Sequence, residues 1–422
     1  MQERARAAAA SATPRTGAIA RATLHLASRA PRPAPSPEAP PPNPLAHPHM
    51  HTIGYGTPSA SDPLAPVAFE RRDAGPGEID IEITHCGVCH SDLHQCRDDW
   101  QNTVWPCVPG HEIVGRVSRV GEGVTRFAEG DVVGVGCMVN SCRECEPCRA
   151  GDEQYCAGPK SCTLTYNGPK LPDGTNTYGG YSTNIVVREE FVLRIPDAIE
   201  PEKAAPILCA GVTTYNPMKH FGLEAGQTLG VAGIGGLGHM AVQIGKALDA
   251  KVVALTTTPG KADEVRALGA DDVIEMSDEN ALEAAAMSLD LLIDTIPYGH
   301  DISPYLALMK PNTTIATVGN MIEMPGFVPG PMVFNRIAIS GSLIGGIADT
   351  QEVLDLCAEH GIRPEIELID IENVNEAFER MKDEDVRFRH VIDIAALAAR
   401  AERVAPEATR IEAPERGEPA GR

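Results

Sequence analysis

No stretch of the sequence approaches the roughly 18–20 consecutive apolar residues that a membrane-spanning helix needs, because segments such as GIADTQEVL break every hydrophobic run with charge. A soluble, cytoplasmic protein is expected. Basic residues are also in short supply: 36 Lys and Arg face 58 Asp and Glu, a formal charge of −22. The few Arg are unevenly spent, since six of them against only Glu3 and Glu38 make the first 49 residues cationic and leave the remainder more acidic still. Such a surface repels nucleic acid and anionic membranes, and no basic stripe interleaved with aromatics relieves it. Aromatics are sparse at 4%, yet 43% of the residues are hydrophobic, which excludes a wholly disordered or collagenous chain. No secretory hydrophobic region precedes the twelve Cys, eleven of which fall between Cys86 and Cys209, so they read as metal ligands rather than a disulfide framework.

A length of 422 residues suffices for two or three domains. Residues 1–49 hold ten Pro among Ala and Arg tracts and are expected to be a disordered extension. Their Arg-rich, acid-poor start also fits a transit peptide, and Met50 offers an alternative start of translation. Between about Val67 and Ile195, short β-like runs (IDIEIT, EIVGRVSRV, DVVGVGC, YSTNIVV) separated by Gly, Pro and Asp indicate an irregular antiparallel, barrel-like domain. Between about Gly211 and Gly341, strand and helix patterns alternate from TLGVAG through IAISGSLIG, as in a parallel doubly wound sheet. The final patterned segment, TQEVLDLCAEHG through IENVNEAFERM, is helical with one short strand, EIELI, and is expected to pack back on the first domain. The fold class is therefore α/β, with one domain over 50–210 and 344–395, a second over 211–343, and a disordered tail at 396–422.

Cys142, Cys145, Cys148 and Cys156 follow a C-x2-C-x2-C-x7-C spacing in a loop too polar to form a core. Four thiolates can hold such a loop around a tetrahedral structural zinc. Iron–sulfur ligation is the rival, but nothing else suggests electron transfer. A second set is dispersed: Cys89 in HCGVCHSDLH, His111 and Glu112 in PGHE, and Cys209 in LCAGVTTY. Each alone reads as packed core, whereas two thiolates and an imidazole together match a catalytic zinc that keeps a position open. Asp92 is placed to accept the other ring proton of His111, or else to cap its own helix.

Gly233-Ile234-Gly235-Gly236-Leu237-Gly238 lies between the strand pattern TLGVA and the helix pattern HMAVQIGKAL. In that context Gly233, Gly235, Gly236, Leu237 and Gly238 form a turn that admits a dinucleotide pyrophosphate at a helix N-terminus. An NAD site expects an acidic residue about 20 positions further on. Here the next strand ends in Thr256, Thr257 and Thr258, followed by Lys261, groups that accept a 2′-phosphate, so NADP is the expected cofactor.

Taken together these residues resemble the zinc-dependent medium-chain alcohol dehydrogenases, and among them the cinnamyl alcohol dehydrogenase-like NADP aldehyde reductases. The resemblance runs from about Pro63 to Ile394 and is carried by HCGVCHSDLH, PCVPGHEIVGRV, the four-cysteine lobe, YGGYSTNIVV, LCAGVTTYNP, GIGGLGH, TTTPGK and SGSLIGG. It implies a GroES-like irregular β-barrel catalytic domain beside a Rossmann domain, with two zinc ions per chain. It implies Cys89, His111 and Cys209 as catalytic zinc ligands with Glu112 beside them. Ser91 would pass the substrate proton with His94 at the outer end of the relay, and His90 would lie near the cofactor phosphates. These three could instead be turn or surface residues. Thr213, Val318 and Asn320 would line the nicotinamide, and Trp100, Trp105 and Met321 the substrate pocket, unless the two Trp are core. The implied reaction is hydride transfer between NADP(H) and an aldehyde/primary alcohol pair, by a broad-range aldehyde reductase, as a homodimer joined near IAISGSLIG.

Two rival readings remain. A polyol or formaldehyde dehydrogenase using NAD is disfavoured by the missing acidic residue after KVVAL, and a zinc-ribbon interaction protein by the acidic charge. Residues 1–49 hold too little apolar surface to offset the entropy of ordering them. A chain beginning at Met50 is therefore expected to match the full chain in melting temperature and kcat/KM. A tenfold loss, about 1.4 kcal/mol of transition-state stabilisation, would show that the extension docks.

Overall fold

The structure, a computed structural model, describes residues 49–158, 161–167, 177–258, 260–382 and 388–411. The expected extension up to residue 48, and residues 412–422 of the expected tail, lie outside these. The strand Glu78–Gly87 organises the first half of the protein. Its Ile79, Ile81 and Ile83 alternate inward and are fully buried, as the period of two in IDIEIT requires. One edge of this strand pairs antiparallel with Ile113–Val120. The other edge is shared, pairing with Asn184–Arg188 along Glu78–Glu82 and with Arg389–Asp393 along His85–Gly87. Across the sheet the order is Ile366–Ile369, Arg389–Asp393, Glu78–Gly87, Ile113–Val120, Val132–Val135 and Leu193–Arg194. The register slips between Asp80 and Ile81 and again between Ile83 and His85, bulges that bend the strand just before the chain reaches Cys89.

The second half is a six-stranded parallel sheet. Its order is Asp272–Glu275, Lys251–Thr256, Thr228–Ala232, Leu289–Asp294, Met309–Thr317 and Ala338–Gly341, so the strands lie 3-2-1-4-5-6 as in a dinucleotide-binding doubly wound sheet. Alternate residues feed two different cores. Leu229, Val231, Val252, Ala254, Leu291 and Ile293 pack on one face, while Ala232, Val253, Leu255, Leu292 and Ile315 pack on the other. Burial on both faces explains why these strands read as continuous apolar runs.

Three features depart from the sequence reading. A hairpin precedes the first expected strand, with His49–Gly56 paired antiparallel to Ala65–Arg72; its TIGYGTP is too rich in Gly to show alternation. The helix Ile347–Glu359 does not pack on the first core alone: Val353, Leu354 and Cys357 share a cluster with Val212 and Met218 of the helix Ala210–His220 and with the sheet residues Leu229 and Val231. Residues 396–411, expected as a free tail, are docked instead. Short helices at Ile394–Ala398 and Ala401–Val404 bury Ile394 and Leu397, and Thr409–Arg410 adds a parallel strand to Ala65–Arg72. The Ala-rich face escaped notice because small residues give a weak apolar signal.

Leu397 is 0% exposed in the core of the first half. Leu397→Ala is expected to cost about 2–5 kcal/mol of unfolding free energy, read by denaturant titration. A value near zero would mean that the segment frays in solution.

Candidate functional site

The bent strand Glu78–Gly87 delivers Cys89 to the start of the helix His90–Cys96, and His111 and Glu112 stand just before the strand Ile113–Val120. Cys209 opens the helix Ala210–His220. These four buried residues, far apart in sequence, place one sulfur, nitrogen or carboxylate oxygen each within 4.8 Å of one another. His111 Nε2 lies 3.3 Å from Cys209 Sγ, while its Nδ1 lies 3.0 Å from Asp92 Oδ1. Burial, the largest influence, opposes a charge on His111, but the Asp92 carboxylate together with Cys137 and Cys89 outweighs it and raises the imidazole pKa well above its ordinary value. The hydrogen bond from Cys209 holds the Cys89 thiol well below its ordinary value. Burial pushes Glu112 up to about 7 against the pull of Arg389. Neither Glu112 oxygen accepts a hydrogen bond among the described residues, and Arg389 Nη2 lies 3.4 Å from Oε1. Gly87 is required there, since a Cβ on it would meet Glu112 Oε2 at 1.9 Å. Two thiols, an imidazole and an unsatisfied carboxylate are a donor set that fits zinc.

Cys142, Cys145, Cys148 and Cys156 also converge within 4.8 Å. Sulfurs about 2.3 Å from one zinc stand about 3.8 Å apart in a tetrahedron. The Cys142–Cys148 and Cys145–Cys156 separations are 3.9 and 4.0 Å. Backbone N–H groups of Cys145, Ala157 and Gly158 point at Cys142, Cys145 and Cys156 sulfurs at 3.3 to 3.4 Å. Such bonds favour thiolates, and the N–H of Cys148 first among the causes brings Cys145 down to about 6. This cluster too fits zinc.

The first cluster opens into a cleft of about 830 Å³ along the carboxyl ends of the parallel strands. Cys89, His90, Ser91, His94, Cys209 and Thr213 line one end of it, while His111 and Glu112 stand behind the wall. Gly233, Gly235, Gly236 and Leu237 line the middle. Gly233 has φ +82, and Gly238 packs so tightly that a Cβ would meet Gly233 O at 2.0 Å; Gly235 faces open space. Thr256, Thr257, Thr258 and Lys261 line the far end. The Thr256 hydroxyl oxygen accepts the Thr258 N–H at 3.1 Å and keeps its own proton to donate, so that Thr256, Thr257, Thr258 and Lys261 all border the cleft. Val318 and Asn320 also line it, but the Asn320 amide is engaged within its own loop, with Ile322 N and Glu323 O. Trp100 and Met321 border the cleft, whereas Trp105 packs against the first core. Thr213 Oγ1 is buried without a partner among the described residues, an open position for a ligand atom.

Two residues went unnoticed in the sequence. Asp99 Oδ2 lies 2.7 Å from His94 Nδ1, a contact hidden in the plain acidic pair of RDDW. Arg389, wholly buried beside Gly236, donates Nη1–H to Val88 O at 3.2 Å and carries its charge into the cleft. Nothing local in RHVID marks this Arg, because its hydrogen-bond partner Val88 lies 301 residues earlier in the chain.

Residues 75–197 match the alcohol dehydrogenase GroES-like domain, and residues 236–359 the zinc-binding dehydrogenase domain. The chain is 48% identical over 343 residues to the aldehyde reductase YahK of Escherichia coli, covering 80% of this chain and 97% of that one. Its fold is similar to that of a cinnamyl alcohol dehydrogenase of Sorghum bicolor (TM-score 0.78, 43% identity, 82% and 98% covered). It is similar also to the CAD of Helicobacter pylori complexed with NADP(H) (TM-score 0.76, 37% identity, 82% and 99% covered).

A closed four-sulfur site stabilises a fold, whereas an open site serves chemistry. Metal analysis is therefore expected to find two zinc ions per chain. Cys145→Ser should lower the melting temperature and remove one zinc; Cys89→Ser should abolish turnover in a protein that stays folded. One zinc or none in active protein would contradict this assignment.

Proposed function

The chain belongs to the zinc-dependent medium-chain alcohol dehydrogenases, and from that membership we propose that it reduces a broad range of aldehydes to primary alcohols with NADPH. The observation that carries this reading is the single cleft that joins the Cys89–His111–Cys209 cluster to the glycine turn and to Thr257, Thr258 and Lys261. Zinc held by Cys89, His111 and Cys209 would supply a Lewis acid for the carbonyl, and the reduced nicotinamide the hydride. The chain's own groups do the rest. Ser91 gives its hydroxyl proton to the oxygen of the reduced carbonyl, and His94, one helical turn on and bordering solvent, replaces it. Asp99 orients the His94 ring through Nδ1, which leaves Nε2 for the proton. Glu112 steers the ligands from behind the wall.

At the cofactor end, Gly235 and the start of the helix Gly238–Ala247 receive the pyrophosphate, with His90 and Arg389 beside it. Thr256, Thr257, Thr258 and Lys261 bind the 2′-phosphate. Thr213, Val318 and Asn320 border the nicotinamide, Asn320 through its backbone. We read residues 50–210 with 344–395 as the catalytic domain and 211–343 as the nucleotide domain. The same reading includes a cytoplasmic homodimer. Its support is the open sheet edge at Ala338–Gly341, beside which Val333 and Phe334 are 76% and 89% exposed. Among the described residues no helix is long and apolar enough to cross a membrane.

A panel of aldehydes, primary alcohols and polyols assayed with NADPH and NADH on zinc-replete protein tests the reaction. Thr257→Asp places a carboxylate against the 2′-phosphate and removes a charge-assisted hydrogen bond of about 1.5–3 kcal/mol. The preference for NADPH should fall about 10- to 100-fold or reverse. Equal use of both cofactors by the parent enzyme would overturn the cofactor assignment.

A further inference from the structure

The four-cysteine lobe reaches the cleft through one exposed tyrosine. Tyr155 ends the short turn Glu153–Tyr155 immediately before Cys156. Its residue surface is 46% exposed, so core packing does not account for it. It borders the cleft, and its hydroxyl oxygen accepts the Leu343 N–H at 2.9 Å. Two neighbours reinforce the contact. Glu153 Oε2 accepts the Ile347 N–H at 3.1 Å, and Gly346 approaches so closely that a Cβ would meet Gly151 O at 1.7 Å. From the other side, Ser342 Oγ donates to Asn216 Oδ1 at 3.1 Å, on the helix that begins after Cys209.

Between these anchors Leu343 and Ile344 form part of the cleft wall, and Ile344 has φ +38. A β-branched residue holds that left-handed conformation only where its surroundings over-determine it. The wall is thus kept in shape by contacts rather than by its own preference. In the sheet, the strand leading to Leu343 lies four positions from the strand ending at Thr256, about 19 Å away at roughly 4.8 Å per strand. Leu343 and Ile344 therefore stand far from the polar 2′-phosphate end and present an apolar surface.

We propose that Tyr155 is a positioning residue that ties the four-cysteine lobe to the Leu343–Ile344 wall and so sets the fit of the apolar part of an aldehyde. This rests on the aldehyde reductase reading above. The tie lets the lobe, itself remote from the chemistry, govern selectivity, because a hydrogen bond lost at Leu343 releases a strained wall.

The test uses the full-length, zinc-replete protein. Tyr155→Phe keeps the ring and removes the acceptor. With NADPH, the ratio of kcat/KM for benzaldehyde to that for acetaldehyde is expected to fall about fivefold, through KM for benzaldehyde, with zinc content and the KM for NADPH unchanged. An unchanged ratio, or a change confined to the KM for NADPH, overturns the proposal. Amide hydrogen exchange gives a readout independent of turnover. The Leu343 amide should be protected in the parent and exchange at least tenfold faster in Tyr155→Phe. Rapid exchange in the parent, or equal protection in both, also overturns it. If the parent reduces neither aldehyde, the functional reading fails, and the exchange result alone decides whether the tie exists.

Discussion

Four donors from three segments of chain converge on the buried carboxylate of Asp92. The Cys89 N–H reaches it at 3.0 Å, the Gly110 N–H at 2.9 Å, the His111 ring at 3.0 Å and the Tyr181 hydroxyl at 3.3 Å. A buried carboxylate is tolerated only when its lone pairs are filled, and here the filling groups are those that fix Cys89 and His111. The bonds that satisfy the charge therefore also build the cluster. Asp92 orients His111 so that Nε2, and not Nδ1, faces Cys209, the outer hydrogen bond that ligating imidazoles ordinarily need. The same carboxylate starts the helix that carries Ser91 and His94. The geometry of the cluster and of the helix that carries the proposed proton path thus depends on one side chain.

The two sulfur clusters differ in what surrounds them. Around Cys142, Cys145, Cys148 and Cys156 the backbone folds inward and its N–H groups face the sulfurs, so the site is closed by the chain itself. Around Cys89, His111 and Cys209 the partners are side chains from three elements, and one side opens on the cleft. Glu112 and Arg389 stand behind it as a buried ion pair. Such a pair adds little net stability, because desolvating two charges offsets their attraction. Its value is positional. It brings a strand from near the end of the chain against the first strand of the barrel-like sheet, and the cleft is complete only when that long-range pairing has formed.

Much of this arrangement was legible in the sequence for simple reasons. Local motifs carry their own geometry: the spacing of four cysteines within one loop, and glycines between a strand and a helix, translate directly into proximity. Strands buried on both faces announce themselves as apolar runs. What stayed hidden is whatever depends on a partner distant in sequence. Arg389 opens RHVID, which lacks the look of a strand until Gly87 pairs with Val391. Asp99 resembles any exposed acid until the helix turns His94 toward it. The segment 396–411 looks like a tail because its apolar face is mostly alanine, with only Leu397, Val404 and Ile411 larger, and matters only against the core of the first half. Asn320 shows the opposite case, a residue of suitable chemistry whose side-chain amide the local backbone has already claimed.

A chain with a formal charge of −22 must still attract an anionic dinucleotide. Over distances beyond about 8 Å the solvent screens its acidic surface at physiological salt, so the global charge affects the approach of the cofactor more than its bound state. Within the cleft the balance is reversed. Lys261 and the buried Arg389 line it, the helix N-terminus at Gly238 adds its dipole, and the second parallel strand ends in hydroxyls where a carboxylate would oppose a 2′-phosphate. Burial strengthens each of these interactions by lowering the local dielectric. On the reading proposed above, selectivity for a phosphorylated cofactor lies in a few donors at the strand ends, and the acidic exterior takes no part in it.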